Sequence, residues 1–220
     1  MKTKSNVIFD LDGTLTDSGT GIKNSVRFVL THYGFPMETE EQLNRYVGPP
    51  LLTSFGNYLG LPRQQAEEAI SVYREYFTTK GMFENAVYEG VIPLLDTLKA
   101  QGKRLFIATG KPTVYTLQIL EHFGLSHYFD RVCGIGLDES DMGKAELISQ
   151  VMKSENLTPD TCLMVGDREF DILGAKEVGI PAVGVTYGYG TLQELTDARA
   201  DKIACSVAEL QEILCGEMVV

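Results

Sequence analysis

Six short apolar runs alternate with helical patterns along the chain, and this alternation constrains the fold more than any other feature. The runs occupy residues 6–10 (NVIFD), 103–109 (KRLFIAT), 130–135 (DRVCGI), 161–167 (TCLMVGD), 180–186 (IPAVGVT) and 201–205 (DKIAC). They are continuously apolar, which is typical of strands buried on both faces of a parallel sheet. Helix-start signals follow some of them, such as the capping-box pair Thr191 and Glu194. The pattern predicts an α/β fold with a doubly wound, Rossmann-like parallel sheet.

One long segment interrupts the alternation between the first and second runs. Its pattern is mostly helical, with two apolar stripes at helical spacing. The first stripe comprises Ile22, Val26, Val29, Leu30 and Tyr33, and the second comprises Ala66, Ala69, Ile70, Tyr73 and Phe77. We therefore expect residues 16–86 to form a small α-helical cap domain inserted into a catalytic core of residues 1–15 and 87–220.

Charge and composition exclude several classes of protein. The 220 residues include 19 basic and 30 acidic ones, for a formal net charge of −11, so no basic footprint for nucleic acid or an anionic membrane is present. No apolar run is long enough to span a bilayer, and the first residues lack the pattern of a signal peptide. The four cysteines show neither zinc-ligand nor disulfide spacing. We expect a cytoplasmic protein, monomeric or homodimeric, that binds neither nucleic acid nor membranes.

Two aspartates, one at the last position of the first run and one two residues later, point to the same side of the chain. Successive strand residues face opposite ways, so Asp10 and Asp12 share a side. Ligands of open α/β sheets bind at the carboxyl ends of the strands, where Asp10 lies. The alternative is an ordinary strand exit, in which Asp12 and Gly13 form a turn and Asp10 caps a backbone N–H.

Polar residues at the other strand ends favour a functional site. Thr109 ends the second run, Asp167 ends the fourth and Asp171 follows one helical turn later, while Lys144 begins a helix. Because two like charges about 4 Å apart repel by about 4 kcal/mol at an effective dielectric constant of 20, gathered carboxylates need a cation. Oxygen ligands without histidine or cysteine favour Mg²⁺.

With a metal bound, the two opening aspartates can take different roles in phosphoryl transfer. Mg²⁺ and Lys144 would neutralise an incoming phosphate dianion. Asp10 can then attack phosphorus to give an aspartyl-phosphate. Asp12 can protonate the leaving oxygen and later deprotonate the hydrolytic water.

The motifs "DLDGTLTD", "TGK", Lys144 and "GDREFD", in this order, resemble the signature of the haloacid dehalogenase superfamily and its phosphatase branch. The resemblance implies that Asp10 is the nucleophile and Asp12 the acid/base, a residue that true dehalogenases lack. It implies that Mg²⁺ is held by Asp10, the Asp12 carbonyl and Asp167, with Asp171 in support. It also implies that Thr109 and Lys144 bind the phosphoryl oxygens.

Two candidate substrate contacts depart from the family or rest on position alone. Gly110 stands where family members often have asparagine, so a side-chain amide is missing from the phosphate side. The segment 46–51 (YVGPPL) is interpreted either as a cap loop that selects the leaving group or as a plain Gly-Pro turn. Arg45 lies beside it and is our candidate anion contact.

The substrate is left open by the sequence. The segments "VGPPL" and "YEGV" resemble phosphoglycolate phosphatases, so we expect a Mg²⁺-dependent phosphatase of a small phosphorylated metabolite, phosphoglycolate first. A 5′-nucleotidase or pyrophosphatase is the alternative, and an aromatic slot in the cap would favour nucleotides. The hypothesis of a sugar phosphomutase is weakened by Ile22, where that branch usually has histidine, and a non-catalytic phospho-ligand binding protein is the last alternative.

The acidic segment 137–141 (LDESD) is interpreted as a solvated loop or, less favourably, as a second cation site.

Overall fold

A computed structural model describes residues 4–137 and 142–216 of the chain. Residues 138–141 of the acidic segment considered as a second cation site lie outside the described residues. Within the described part, the strands are β1 (Asn6–Phe9), β2 (Thr16–Asp17), β3 (Ala86–Val87), β4 (Arg104–Pro112), β5 (Arg131–Ile135), β6 (Cys162–Gly166), β7 (Ala182–Val185) and β8 (Lys202–Ala204).

Six of these strands form one parallel sheet in the order β5-β4-β1-β6-β7-β8. The central strand β1 pairs with β4 on one side, Phe9 facing Ile107, and with β6 on the other, Phe9 facing Val165. This is the point at which the strand order reverses, where open α/β sheets bind their ligands. Each of the six strands corresponds to one of the apolar runs, so the predicted doubly wound α/β fold is confirmed.

The α-helices alternate with the strands, and four of them lie between β2 and β3. In chain order they are α1 (Gly19–Tyr33), α2 (Glu40–Asn44), α3 (Leu51–Leu59), α4 (Arg63–Thr79), α5 (Val91–Ala100), α6 (Thr113–His122), α7 (Lys144–Ser154), α8 (Glu169–Glu177), α9 (Leu192–Asp197) and α10 (Val207–Cys215). In the described residues no helix has both the length and the apolar character needed to cross a bilayer.

Both faces of the sheet are covered, as continuously apolar strands require. Val7 and Phe9 pack into one hydrophobic cluster, while Ile8 between them packs into the other. The first cluster continues into helices α1, α3 and α4. The predicted stripe on α4 is buried, as are Ile22, Val26, Val29 and Leu30 of the stripe on α1, whereas Tyr33 is exposed at the end of that helix.

A two-stranded antiparallel ribbon joins the helical insertion to the sheet. In it β2 pairs with β3, Thr16 facing Val87 and Asp17 facing Ala86. Strands of two residues carry no periodic signal, so the sequence did not predict them. We call residues 16–86 the cap segment; the ribbon lies where the predicted boundaries fall, and the division into two domains stays a prediction.

Candidate active site

The site begins where β1 ends at the carboxyl edge of the sheet. Asp10 extends the ladder by one residue, since its N–H donates to Val165 O at 2.9 Å. Asp10 and Leu11 are buried, and Asp12 is half-buried. Gly13 then turns the chain with φ +77°, and a Cβ there would lie 2.2 Å from Asp167 Oδ2. Glycine is therefore required for both the turn and the close approach of β1 to the β6 end.

Three buried carboxylates meet at this edge. Asp10, Asp167 and Asp171 each have an oxygen within 4.8 Å of the others. Lys144 Nζ lies 2.9 Å from Asp10 Oδ1 and 2.7 Å from Asp171 Oδ1, and it donates to Ala108 O at 3.0 Å. Burial opposes a charge on Lys144, but the attraction of Asp10 and Asp171 outweighs it and raises the pKa of the ammonium. Lys144 is therefore charged at neutral pH.

Charge counting shows what the cluster still needs. A second pair joins Lys111 Nζ to Asp12 Oδ2 at 2.9 Å. With all four aspartates and both lysines ionised, the group would carry two negative charges. Asp167 Oδ1 is buried without a hydrogen-bond partner, and burial together with Asp171 and Asp10 raises the pKa of Asp167 well above its usual range. An all-oxygen donor set with uncompensated negative charge fits a divalent cation such as Mg²⁺.

The loop after β7 holds Asp167 in place, a role that sequence reasoning missed. Tyr189 N–H donates to Asp167 Oδ2 at 2.8 Å. A Cβ on Gly188 would lie 2.2 Å from Gly13 O, and one on Gly190 would lie 1.8 Å from Asp167 O. The alternating glycines of residues 186–191 (TYGYGT) were the available signal, because they mark a backbone that approaches another closely.

Residues after Ala108 supply polar groups beside the cluster. Thr109 is buried, and its Oγ1 accepts a hydrogen bond from Lys111 N at 3.3 Å. Gly110 is exposed, and a Cβ there would have no neighbour within 4 Å. An asparagine at position 110 would thus fit, so its absence removes an amide without a steric reason. Both residues line the cavity described below.

Arg45 does not line that cavity, so the structure gives no support to its prediction as an anion contact. Its Nη2 donates to Glu38 Oε1 at 2.8 Å, and its guanidinium lies 4.4 Å from the centre of the Tyr58 ring. These contacts hold its charge inside the cap segment, next to an acidic residue seven positions earlier.

A cavity of about 330 Å³ lies between the carboxylates and the cap segment. On the core side it is lined by Asp10, Asp12, Thr109 and Lys111. On the opposite side the lining is mainly apolar and aromatic, and it includes Ile22, Pro49, Pro50, Leu51, Leu52, Ile70, Tyr73, Phe77 and, from α6, Tyr115. The cap segment therefore covers the carboxylates with a surface of low polarity.

Three rings form one wall of this cavity. Tyr73 stacks on Phe77 with ring centroids 5.4 Å apart, and Phe77 meets Tyr115 edge-to-face at 5.6 Å. Lys111 Nζ lies 4.6 Å from the centre of the Phe77 ring. An ammonium thus stands between the ring wall and Asp12.

Similarity to known proteins is consistent along nearly the whole chain. The model of the haloacid dehalogenase-like hydrolase family matches residues 7–185. A 5′-nucleotidase from Pseudomonas aeruginosa is 39% identical over 209 residues, covering 95% of each chain. The tyrosine-protein kinase PtkA from Mycobacterium tuberculosis is 37% identical, covering 94% of this chain and 72% of that protein. A phosphoglycolate phosphatase from Vibrio parahaemolyticus is 28% identical, covering 94% and 95%.

Solved structures agree with this assignment. A predicted phosphatase from Clostridium acetobutylicum is 46% identical and superposes with a TM-score of 0.94, covering 98% of this chain and all of that one. The family model spans the sheet from β1 to β7 and thus every strand end that carries a candidate residue. The chain belongs to the haloacid dehalogenase-like hydrolase family, and within it the chain is a phosphatase.

Proposed function

We propose that the protein is a Mg²⁺-dependent phosphomonoesterase that works through an aspartyl-phosphate on Asp10. The observation that carries the proposal is the difference in surroundings between the two aspartates at the end of β1. Asp10 joins the buried carboxylate cluster beside Lys144, whereas Asp12 pairs with Lys111 at the cavity. Two carboxylates in such different surroundings suit a nucleophile and an acid/base.

Two balanced steps then account for turnover. In the first, an Asp10 oxygen attacks phosphorus, the bond to the leaving oxygen breaks, and protonated Asp12 gives that oxygen its proton. In the second, Asp12 takes a proton from water, the resulting hydroxide attacks phosphorus, and the bond to Asp10 breaks to release phosphate. Asp12 regains in the second step the proton that it gave up in the first, and Asp10 loses the phosphoryl group that it gained. Both residues therefore return to their starting states.

The remaining site residues bind the phosphoryl group and the metal. Asp10, the Asp12 carbonyl and Asp167 would hold Mg²⁺, with Asp171 in support. The ion would supply positive charge to the phosphoryl oxygens as charge moves onto the leaving group. Lys144 fixes Asp10 and Asp171 through its two short contacts, and Thr109 and Lys111 offer donors on the cavity side.

The shape and chemistry of the cavity favour a nucleoside 5′-monophosphate among small phosphorylated metabolites. The rings of Tyr73, Phe77 and Tyr115 give this side of the cavity an apolar, aromatic lining against which a base packs. Phosphoglycolate carries a carboxylate in addition to its phosphate, and this second anionic group needs a cation from the cap segment. Among the described residues of that segment that line the cavity, Arg74 is the basic one, and its Nη2 donates to Leu137 O at 2.7 Å. The name of the 39% identical relative supports the same choice.

A hydrolysis panel with Mg²⁺ tests the proposal. Phosphate release is measured as kcat/KM for nucleoside 5′-monophosphates, phosphoglycolate and pyrophosphate, and we expect the nucleotides to lead by about tenfold. Asp12→Ala is expected to lower kcat by about 10²-fold or more, as removal of an acid/base does. Leading rates with phosphoglycolate would replace the nucleotide as substrate, and absence of phosphate release from every compound would refute the phosphatase. Turnover that requires a bisphosphate would indicate a mutase.

A matched pair of substitutions tests the ring wall. Phe77→Ala removes a cavity ring and is expected to lower kcat/KM for nucleotides about tenfold, within the range of base stacking on an aromatic side chain. Its effect on phosphoglycolate is expected to stay within about twofold. Phe55→Ala removes an equally buried ring of the cap segment that does not line the cavity and serves as the matched control for lost packing. Equal losses for both substrates would show that Phe77 only supports the fold.

A further inference from the structure

Arg168 directly follows the candidate metal ligand Asp167, yet no step of the proposed reaction uses it. We propose that Arg168 is a positioning residue: a latch that holds the cap loop, residues 46–50, closed over the carboxylate cluster. The activity part of this proposal rests on the proposed function. The contact itself does not, because it joins two parts of the chain 121 residues apart whatever the protein hydrolyses.

The core holds Arg168 at two points. Its backbone N–H donates to Asp171 Oδ2 at 3.1 Å, which ties it to the carboxylate cluster. Its Nε donates to Glu194 Oε1 at 2.8 Å, and the same oxygen accepts from Glu169 N at 2.9 Å. The side chains of Arg168 and Glu194 are 16% and 19% exposed, so this ion pair is largely shielded from water. The guanidinium is thus fixed in direction before it reaches the cap segment.

The other arm of the guanidinium reaches the cap loop. Arg168 Nη1 donates to Val47 O at 2.6 Å, and Val47 is fully buried. The next residue, Gly48, has φ +102°, and a Cβ there would lie 2.8 Å from Arg168 Nη1. A glycine is needed both for this backbone conformation and for the space that the guanidinium occupies. The backbone of the cap loop at Gly48 is therefore complementary in shape to the Arg168 guanidinium.

The contact controls the part of the cap segment that faces the reaction. Gly48, Pro49 and Pro50 line the cavity together with Asp10 and Asp12, and Pro50 directly precedes α3. The position of Val47 therefore sets how closely these residues approach the candidate nucleophile. Tyr46 N and Val47 N donate to Leu43 O and Asn44 O at 3.1 Å each, so the loop moves with the end of α2.

The hydrogen bond between Arg168 and Val47 can break without leaving a charged group unpaired. Its acceptor in the cap loop is a neutral carbonyl, while the ion pair with Glu194 lies wholly in the core. When the loop moves away, Arg168 keeps its charged partner and Val47 O is exposed to water. A cap that must admit substrate and release phosphate in every turnover needs a contact of this reversible kind.

Hydrogen exchange with and without the latch tests the proposal independently of activity. In Arg168→Gln we expect the amides of Tyr46 and Val47 to exchange about tenfold faster than in the wild-type protein, with α8 unchanged. Arg168→Lys keeps the charge but loses the forked donor geometry. In this variant the exchange rates of the same amides are expected to lie between those of the wild-type protein and Arg168→Gln. Arg131→Gln, the same change at an exposed arginine on β5, is the matched control and is expected to leave the loop unchanged.

Kinetics with p-nitrophenyl phosphate and Mg²⁺ provide the second readout. We expect kcat/KM to fall about tenfold in Arg168→Gln, with partial recovery in Arg168→Lys. Unchanged loop exchange in Arg168→Gln would overturn the latch, and so would equal acceleration in the loop and α8, which would mark Arg168 as a plain structural residue. If the wild-type protein released no phosphate, the proposed function would fail, while the exchange data would still decide the latch.

Discussion

Replacing Asp167 by asparagine is expected to stabilise the metal-free protein, although this residue is a candidate ligand. Asp10, Asp171 and Lys144 sum to one negative charge beside Asp167. At the 4.8 Å limit of the cluster, an ionised Asp167 is repelled by about 3.5 kcal/mol at an effective dielectric constant of 20. The Tyr189 N–H bond weakens by about 1 kcal/mol when its acceptor becomes a neutral amide. The net gain expected in the free energy of unfolding is about 2 kcal/mol.

This gain depends on pH in a defined direction. Burial, Asp171 and Asp10 raise the pKa of Asp167 in the folded protein above its value in the unfolded chain. The unfolded chain therefore ionises first, and ionisation of Asp167 reduces stability as pH rises from about 4 toward the folded-state pKa. The advantage of Asp167→Asn is expected to be complete above the folded-state pKa and to vanish below about pH 4, where the aspartate is protonated in both states.

Urea unfolding in EDTA, followed by far-UV circular dichroism because the chain lacks tryptophan, measures the effect. Asp197→Asn removes the same charge at an exposed site on α9 and is the matched control, with an expected change within about 0.5 kcal/mol. Mg²⁺ at 100 times its dissociation constant is expected to add about 2.7 kcal/mol to the wild-type protein and far less to Asp167→Asn. A variant no more stable than wild type in EDTA at pH 8 would refute the electrostatic reasoning.

Three further substitutions are tested by urea unfolding: two at glycines near the site, and one at Asp130, which binds the amino-terminal end of β4. Gly190→Ala would place Cβ 1.8 Å from a backbone oxygen and is expected to cost about 3 kcal/mol, whereas Gly110→Ala, with no neighbour within 4 Å, is expected to stay within about 1 kcal/mol; equal effects would contradict the close-approach argument. Burial opposes the charge of Asp130, but the Leu105 N–H and Lys99 hold the pKa of Asp130 below its usual value. Its contribution to the free energy of unfolding is therefore present above the unfolded-state pKa and is lost as pH falls through the lower folded-state pKa. Asp130→Asn is therefore expected to cost about 1 kcal/mol at pH 7 and progressively less as pH falls through the folded-state pKa of Asp130, and a pH-independent difference would contradict this assignment.

Strand pattern and strand ends could be predicted because they depend on local sequence. A parallel sheet brings the carboxyl ends of its strands to one edge, so Asp10, Asp167 and Lys144 were expected to converge before any distance was known. The contacts that could not be predicted depend on loops that meet across the fold. Tyr189 reaches Asp167 only because the glycines beside it allow two backbones to touch.

Competition between partners limited the prediction of individual side chains. Thr191 caps α9 as expected, accepting from Glu194 N at 3.1 Å, but the Glu194 carboxylate binds Arg168 instead of completing the capping box. Arg45 likewise pairs with Glu38 in preference to facing the cavity. In both cases a charged side chain had two partners within reach, and only the packing of the cap segment and the loops decides between them.

The central claim is Mg²⁺-dependent phosphate transfer to Asp10, and a single-turnover reaction with phosphorus-labelled nucleoside 5′-monophosphate tests it most directly. Label is expected on the peptide that contains Asp10 in the wild-type protein with Mg²⁺ and is expected to be absent in EDTA, and phosphate release is expected to be at least about 10³-fold slower in Asp10→Asn. Asp197→Asn, with the same change of charge away from the site, is expected to match the wild-type protein. Phosphate release at the wild-type rate from Asp10→Asn, or an unchanged rate in EDTA, would contradict the account.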